Sequence, residues 1–319
     1  MSGLNLAVCA TTLIIGLATS PAFSKLPSRT PQQIASEAAT RTFAMRDGVS
    51  LHARQFGNNA NLAIVMLHGV AGDGANLSTL AARLNRETGA QVLVLDHRGH
   101  GKSKGAPFRV AHIGQYEEDA ADVISALRAH HPNRRIILAG HSMGGGISLR
   151  YALLRSAPRV DGYLLLAPLL GGDSPTMRQA TSTEAKTGQA FIRFDVKRLI
   201  AIAALNERGD TSRNDEPIMT FVTGPAYGWN ALQSMQPNAP ADYRAALAAI
   251  RAPLLVIAGD RDESFDASQY APVVARYSAA GKVELIKGAN HGGVLARPET
   301  SRAAADWLAA AVPSATAAR

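Results

Sequence analysis

Arg134-Arg-Ile-Ile-Leu-Ala-Gly-His-Ser-Met-Gly-Gly-Gly146 is the stretch whose reading decides the fold. The apolar run from Ile136 to Ala139 stops at Gly140, small residues follow, and helical spacing begins with Ile147, Leu149 and Leu153. This pattern predicts a buried strand, a sharp turn and a helix, with Ser142 at the apex. Gly140-x-Ser142-x-Gly144 has the spacing of a nucleophile elbow, where a Cβ at either glycine would meet the neighbouring strand or helix. Such a turn strains the serine backbone and lifts the hydroxyl clear of the sheet. The pentapeptide alone is a weak signal, because a glycine-rich turn with an idle serine has the same letters. Between a strand and a helix it is much stronger.

Working outward, Thr42–Met45 and Val49–Gln55 flank the turn dipeptide Asp47-Gly48 and predict a hairpin. Leu62–Leu67, Val92–Leu95, Gly162–Ala167, Pro253–Ala258 and Val283–Ile286 are short apolar runs that read as strands. Helical periodicity separates them at Leu77–Thr88, Tyr116–Ala129, Gln269–Ser278 and Glu299–Ala311. Alternation of this kind predicts an α/β chain, a mostly parallel sheet with helices on both faces and right-handed crossovers. The rhythm breaks between Leu169 and Ala245, which hold one good helix, Phe194–Asn206, and a Gly/Pro/aromatic segment, Thr220–Pro237. That break is read as an inserted lid. The resulting division is a signal peptide at 1–24, a linker at 25–40, core at 41–168, lid at 169–245 and core again at 246–319.

With 319 residues, 46% hydrophobic and 18% charged, the chain can bury a full core without staples. Leu4 to Ala18 is apolar with no acid or base, and Ala22-Phe-Ser24 has small residues at cleavage spacing. Export to a periplasmic or extracellular compartment is expected. The missing basic n-region leaves an uncleaved N-terminal anchor as the alternative. The single cysteine, Cys9, lies in that apolar stretch, so a cleaved chain would have neither a disulfide nor a thiol nucleophile. The formal charge of +8 comes from arginines and lysines spread along the chain, and aromatics are only 5%. With no dense basic run among aromatics, nucleic-acid binding is not expected. Gly99-His-Gly-Lys-Ser103 mimics the end of a phosphate-binding loop, but Asp96 stands where its first glycine is required. No zinc-type spacing occurs, and neither a metal nor a cofactor is expected.

In an open parallel sheet, chemistry collects at the carboxyl ends of the strands. The loops there carry His68-Gly69-Val70, Ser142, Gly259-Asp-Arg-Asp-Glu263 and Lys287-Gly-Ala-Asn-His-Gly-Gly293. Serine, acid and histidine therefore come in the order of a hydrolase triad on this architecture. A serine hydroxyl needs a base, an imidazole needs a carboxylate to hold its tautomer, and the developing oxyanion needs backbone N–H donors. Val70 and Met143 are positioned in sequence to supply those donors. His141 reads as a packing residue, His68 as a shaper of its loop, and His97 and His100 as stabilisers of the glycine-rich loop.

His68-Gly69, Asp96-His-Arg-Gly-His-Gly-Lys-Ser103, Gly140-His-Ser-Met-Gly144, Gly259-Asp-Arg-Asp262 and Gly288-Ala-Asn-His291 together resemble an α/β-hydrolase. The resemblance is to the group of monoacylglycerol lipases, lysophospholipases and proline-iminopeptidase-like S33 serine aminopeptidases. It covers nearly everything after residue 40 except the lid. It implies Ser142 as nucleophile, His291 as base, Asp262 as acid and the Val70 and Met143 N–H groups as the oxyanion hole. Asp260 competes for the acid role, and the family's Gly-x-x-Asp spacing picks Asp262. The expected activity is hydrolysis of an acyl ester or lipid through an acyl-enzyme, without a cofactor and with peripheral membrane association as an option. Phe191, Phe194, Leu199, Ile202, Phe221, Tyr227, Trp229 and Met235 suit either an acyl chain or packing of the lid. An aminopeptidase is the alternative enzyme, with Glu207, Asp210, Asp215 and Glu216 as candidates for holding a substrate ammonium. A non-catalytic binding module on the same scaffold is the alternative of another class. The oligomeric state is not legible.

Overall fold

The computed structural model describes residues 38–178, 192–221, 224–238 and 241–312. The expected signal peptide, most of the linker and Phe191 lie outside the described residues. The chain begins with an antiparallel hairpin, β1 (Ala39–Ala44) and β2 (Ser50–Phe56), around Asp47-Gly48. Gly48 has φ 81°, the left-handed conformation that a tight turn needs. There follow β3 (Leu62–Leu67), α1 (Ser78–Thr88), β4 (Gln91–Leu95), α2 (Gln115–His130), β5 (Arg135–His141), α3 (Met143–Leu153) and β6 (Gly162–Leu166). After the insertion come β10 (Leu254–Gly259), α7 (Tyr270–Tyr277), β11 (Gly281–Ile286) and α8 (Pro298–Ala311).

These strands form one eight-stranded sheet, in the order β1-β2-β4-β3-β5-β6-β10-β11. Pairing is parallel from β4 to β11, and only the β1–β2 and β2–β4 pairs are antiparallel. The central strands β3, β4, β5, β6 and β10 are largely apolar because both faces are covered, whereas the edge strands β1 and β11 carry exposed polar residues. Ala63, Val65 and Leu67 of β3 join the core beneath α2, α3 and α7, while Ile64 and Met66 join the core beneath α1 and α8. The register aligns the carboxyl ends: Leu67 stands opposite Gly140, His141 opposite Leu166, and Gly259 opposite Ile286. The loops carrying His68, Ser142, Asp262 and His291 consequently leave one edge of the sheet together.

Between β6 and β10 lies a small antiparallel sheet of β7 (Ile192–Phe194), β8 (Met219–Phe221) and β9 (Ala226–Tyr227). The sequence showed no strand here, since two- or three-residue strands are too short to display alternation. The segment also holds α4 (Val196–Asn206), α5 (Trp229–Ser234) and α6 (Tyr243–Ala249). α4 begins two residues after the expected Phe194 because Asp195 caps it, accepting the Arg198 N–H at 2.9 Å. Of its expected apolar face, Ile202 is buried while Leu199 and Leu205 are half-buried. α6 runs across residue 245 and packs on α3 and α7.

Three successive glycines open α3, each against a different neighbour. A Cβ on Gly144 would sit 2.2 Å from the Leu67 carbonyl oxygen, one on Gly145 2.6 Å from Pro168, and one on Gly146 2.1 Å from the Met235 carbonyl oxygen. Gly146 separates two opposed effects. Helix propensity favours Gly146→Ala by up to about 1 kcal/mol, whereas forcing a methyl against backbone costs roughly 1–3 kcal/mol or more. Gly146→Ala is expected to be destabilising in urea unfolding, and a stabilised variant would refute this packing.

Candidate active site

Ser142 occupies the turn between β5 and α3 with φ 54° and ψ −115°, a conformation that non-glycine residues rarely adopt. Its N–H donates to the Leu166 carbonyl at 2.9 Å, and its own carbonyl accepts from Leu169 at 3.0 Å and Gly146 at 3.1 Å. Gly140 permits the turn, since a Cβ there would lie 2.1 Å from the Gly144 oxygen.

His291 and Asp262 meet across the ends of β11 and β10, with Nδ1 2.9 Å from Oδ2. The other oxygen of Asp262 accepts the N–H groups of Ser264 at 2.8 Å and Phe265 at 2.9 Å, so the carboxylate is fully buried yet satisfied. Because Asp262 occupies Nδ1, the second ring nitrogen of His291 is the one left for proton transfer. Asp260 turns elsewhere and accepts the Gly288 N–H at 2.6 Å.

The backbone of His291 is held from both sides. Glu263 accepts its N–H at 2.9 Å, and His141 Nε2 lies 3.2 Å from its carbonyl oxygen. A carbonyl only accepts, so His141 carries its proton on Nε2. The His141 ring also packs on the His291 ring, with centroids 4.8 Å apart, and Phe265 meets it edge-on at 5.2 Å. Sequence reading gave His141 a packing role and missed both its hydrogen bond and Glu263. Adjacency of Glu263 to the acid loop was the only signal available.

Val70 and Met143 flank this site on the loop after β3 and at the start of α3. Among the described residues, neither N–H has an acceptor in the chain. The Val70 N–H shares a peptide plane with the Gly69 carbonyl, which accepts from His68 Nδ1 at 2.8 Å. In a trans peptide, anchoring the carbonyl on one side directs the N–H to the other. His68 Nε2 accepts the His97 N–H at 3.1 Å, and His97 Nε2 returns a hydrogen bond to the His68 carbonyl at 3.1 Å. Gly69 abuts the elbow, since a Cβ there would lie 3.4 Å from the Ser142 Cβ.

Asp96 ties this loop to the glycine-rich loop after β4. Its fully buried carboxylate accepts from Gly74 N–H at 2.7 Å, Lys102 N–H at 2.8 Å, His52 Nδ1 at 2.9 Å and Arg54 Nη1 at 3.0 Å. Four donors on one carboxylate offset its desolvation.

The residues proposed for a substrate ammonium do not converge. Glu216 pairs with Arg213 at 2.6 Å and Arg198 at 3.3 Å, Asp215 with Arg109 at 3.3 Å, and Asp210 accepts the Ser212 N–H at 2.9 Å. Glu207, Asp210 and Asp215 are exposed and Glu216 is half-buried, so together they line no buried pocket. Among the described residues, no group of three or more His, Cys, Asp or Glu is arranged to hold a metal.

A family model described as serine aminopeptidase, S33, matches residues 58–295. The chain is 28% identical over 220 residues to a monoacylglycerol lipase of Mycolicibacterium smegmatis, spanning 62% of this chain and 69% of that protein. It is 29% identical over 146 residues to a monoglyceride lipase of Rattus norvegicus, spanning 45% of this chain and 47% of that one. In fold it is similar to a thermophilic esterase from Thermogutta terrifontis, with a TM-score of 0.60 at 22% identity over 86% of this chain and 99% of that one.

Burial makes this site acid-sensitive. It pushes His68 and His141 down to about 3, His97 well below its ordinary 6.5, and His100 downward as well. The unfolded chain binds these protons near pH 6.5 and the folded chain at lower pH, so stability is full above about pH 6.5 and falls as pH drops. Each depressed histidine adds to this loss in the same direction. Tm is expected to decline steadily between pH 7 and pH 4.5, and a flat profile would contradict the neutral cluster.

Proposed function

The chain belongs to the serine aminopeptidase S33 family of α/β-hydrolases, and we propose that it is a carboxylic ester hydrolase, cleaving monoacylglycerol-, lysophospholipid- or similar acyl esters through Ser142, His291 and Asp262, as its similarity to proteins named monoacylglycerol lipase supports. The observation that carries this reading is the 2.9 Å bond between His291 and Asp262 at the same sheet edge as a strained Ser142. His291 takes the Ser142 proton as Oγ attacks the ester carbonyl, and Asp262 stabilises the imidazolium. The N–H groups of Val70 and Met143 receive the oxyanion. His291 then protonates the departing alcohol, and water, deprotonated by the same ring, releases the acid and restores the serine.

Acyl esters are favoured over aminoacyl substrates because the segment's acids are paired or solvent-facing, whereas its apolar residues Ile202, Phe221 and Tyr227 are buried. The segment from 169 to 245 acts as the lid in this proposal. Peripheral contact with a lipid surface belongs to it too, supported by exposed Phe194, Val196 and Ile200 around α4 beside Lys197. Export rests on the apolar start, Leu4 to Ala18, and on Ala22-Phe-Ser24.

Ser142→Ala is expected to lower turnover by several orders of magnitude in a folded protein, and Ser142 to be the residue labelled by a fluorophosphonate. Asp262→Asn is expected to cost on the order of 10⁴-fold in kcat and Asp260→Asn far less, the reverse ranking moving the acid to Asp260. For substrate class, kcat/KM on medium-chain acyl esters is expected to exceed that on prolyl or alanyl anilides by at least about 100-fold, roughly 2.7 kcal/mol. Comparable efficiency on the anilides would favour the peptidase.

A further inference from the structure

Tyr227 stands on β9, within the inserted segment, yet its hydroxyl reaches the loop after β3. The oxygen lies 2.9 Å from Ala71 N and 3.1 Å from His100 Nε2. Its surroundings settle where the protons are. His100 Nδ1 lies 2.8 Å from the Arg98 carbonyl, which only accepts, so Nδ1 carries the ring proton. A neutral ring then leaves Nε2 bare. The Tyr227 hydroxyl must donate to Nε2, which frees its lone pairs to accept the Ala71 N–H. A single proton order satisfies every member of the chain.

What this contact holds is an unfavourable backbone. Ala71 has φ 59°, a conformation that costs a residue with a Cβ, and its N–H finds its partner in Tyr227. Ala71 directly follows Val70, whose N–H has no acceptor among the described residues. The Gly69 carbonyl, pinned by His68, sets one end of this short loop, and the Ala71 N–H, pinned by Tyr227, sets the other. We infer that Tyr227 is a positioning residue for the oxyanion hole: its hydroxyl holds the Ala71 N–H and so keeps the Val70 N–H directed at the reacting carbonyl. The inference rests on the proposed roles of Ser142 and Val70. It also assigns the inserted segment a part in building the site besides covering it.

Tyr227→Phe tests this, because it removes only the hydroxyl. The ring stays packed on His100, Phe108 and Phe221, at centroid distances of 5.9, 5.6 and 6.2 Å. Losing an oxyanion donor outright costs 10²–10³-fold, so a donor merely released from its orientation is expected to cost about tenfold in kcat, with KM within about twofold. Affinity for a trifluoromethyl ketone, whose hemiketal oxyanion occupies the hole, is expected to fall by about the same factor. A folded variant with unchanged kcat and unchanged inhibitor affinity overturns the inference, as does one in which only KM rises. Amide exchange in the unaltered protein gives a reading that needs no variant. Ala71 is expected to be protected, and rapid exchange there overturns the inference even if Tyr227→Phe does not fold. Fluorophosphonate labelling separates the two levels. Label on Ser142 together with an indifferent Tyr227→Phe sinks this inference alone, whereas label on another serine sinks the triad and this inference with it.

Discussion

A serine backbone forced to positive φ is the constraint on which the rest of this structure depends. A conformation like that of Ser142 costs of order 1–3 kcal/mol and persists only where the surroundings over-determine it. Here β3, β5, β6 and the chain after β6 all take part. The Leu166 carbonyl takes the Ser142 N–H, and Leu169 and Gly146 share its carbonyl. Gly140 and Gly144 let the helix and β3 approach within distances that no Cβ would allow. The register that sets Leu67 opposite Gly140 then carries the Val70 loop to the same point.

A second layer holds the loops that the elbow needs. Asp96 gathers donors from β2, from the loop after β3 and from its own glycine-rich loop, and Gly74 and Gly101 leave room for it. A Cβ on either would fall 2.8 Å or 2.5 Å from its carboxylate oxygens. His68, His97 and His100 add a buried polar cluster in which each tautomer is dictated by a carbonyl. Neutral imidazoles suit this work because each offers one donor and one acceptor without the desolvation cost of a charge. Their price is the acid sensitivity described above.

Where the sequence was legible, one residue type answered to one physical demand. Leu62–Leu67 matched its strand to the residue because an apolar run between polar residues has only one way to be buried on both faces. The Gly-x-Ser-x-Gly turn was readable for the same reason, and His291 and Asp262 came together as their strand-end positions implied. What could not be read depends on pairs distant in sequence. Nothing near Tyr227 announces a contact 156 residues away, and nothing near Glu263 announces that it accepts a backbone N–H from residue 291. The β7–β8–β9 sheet was hidden because strands of two or three residues are too short to repeat an alternation.

The glycines that open α3 also bear on the order of folding. Three in one turn weaken a helix by roughly 2–3 kcal/mol relative to alanine, and an eleven-residue helix is marginal in water even without them. α3 therefore cannot nucleate on its own. It forms against β3, Pro168 and the chain at Met235, which must already be near their final places. The helix depends on tertiary contacts with its neighbours more than on its own propensity. The strained turn at Ser142 is thus a property of the assembled tertiary structure and not of the local sequence around it.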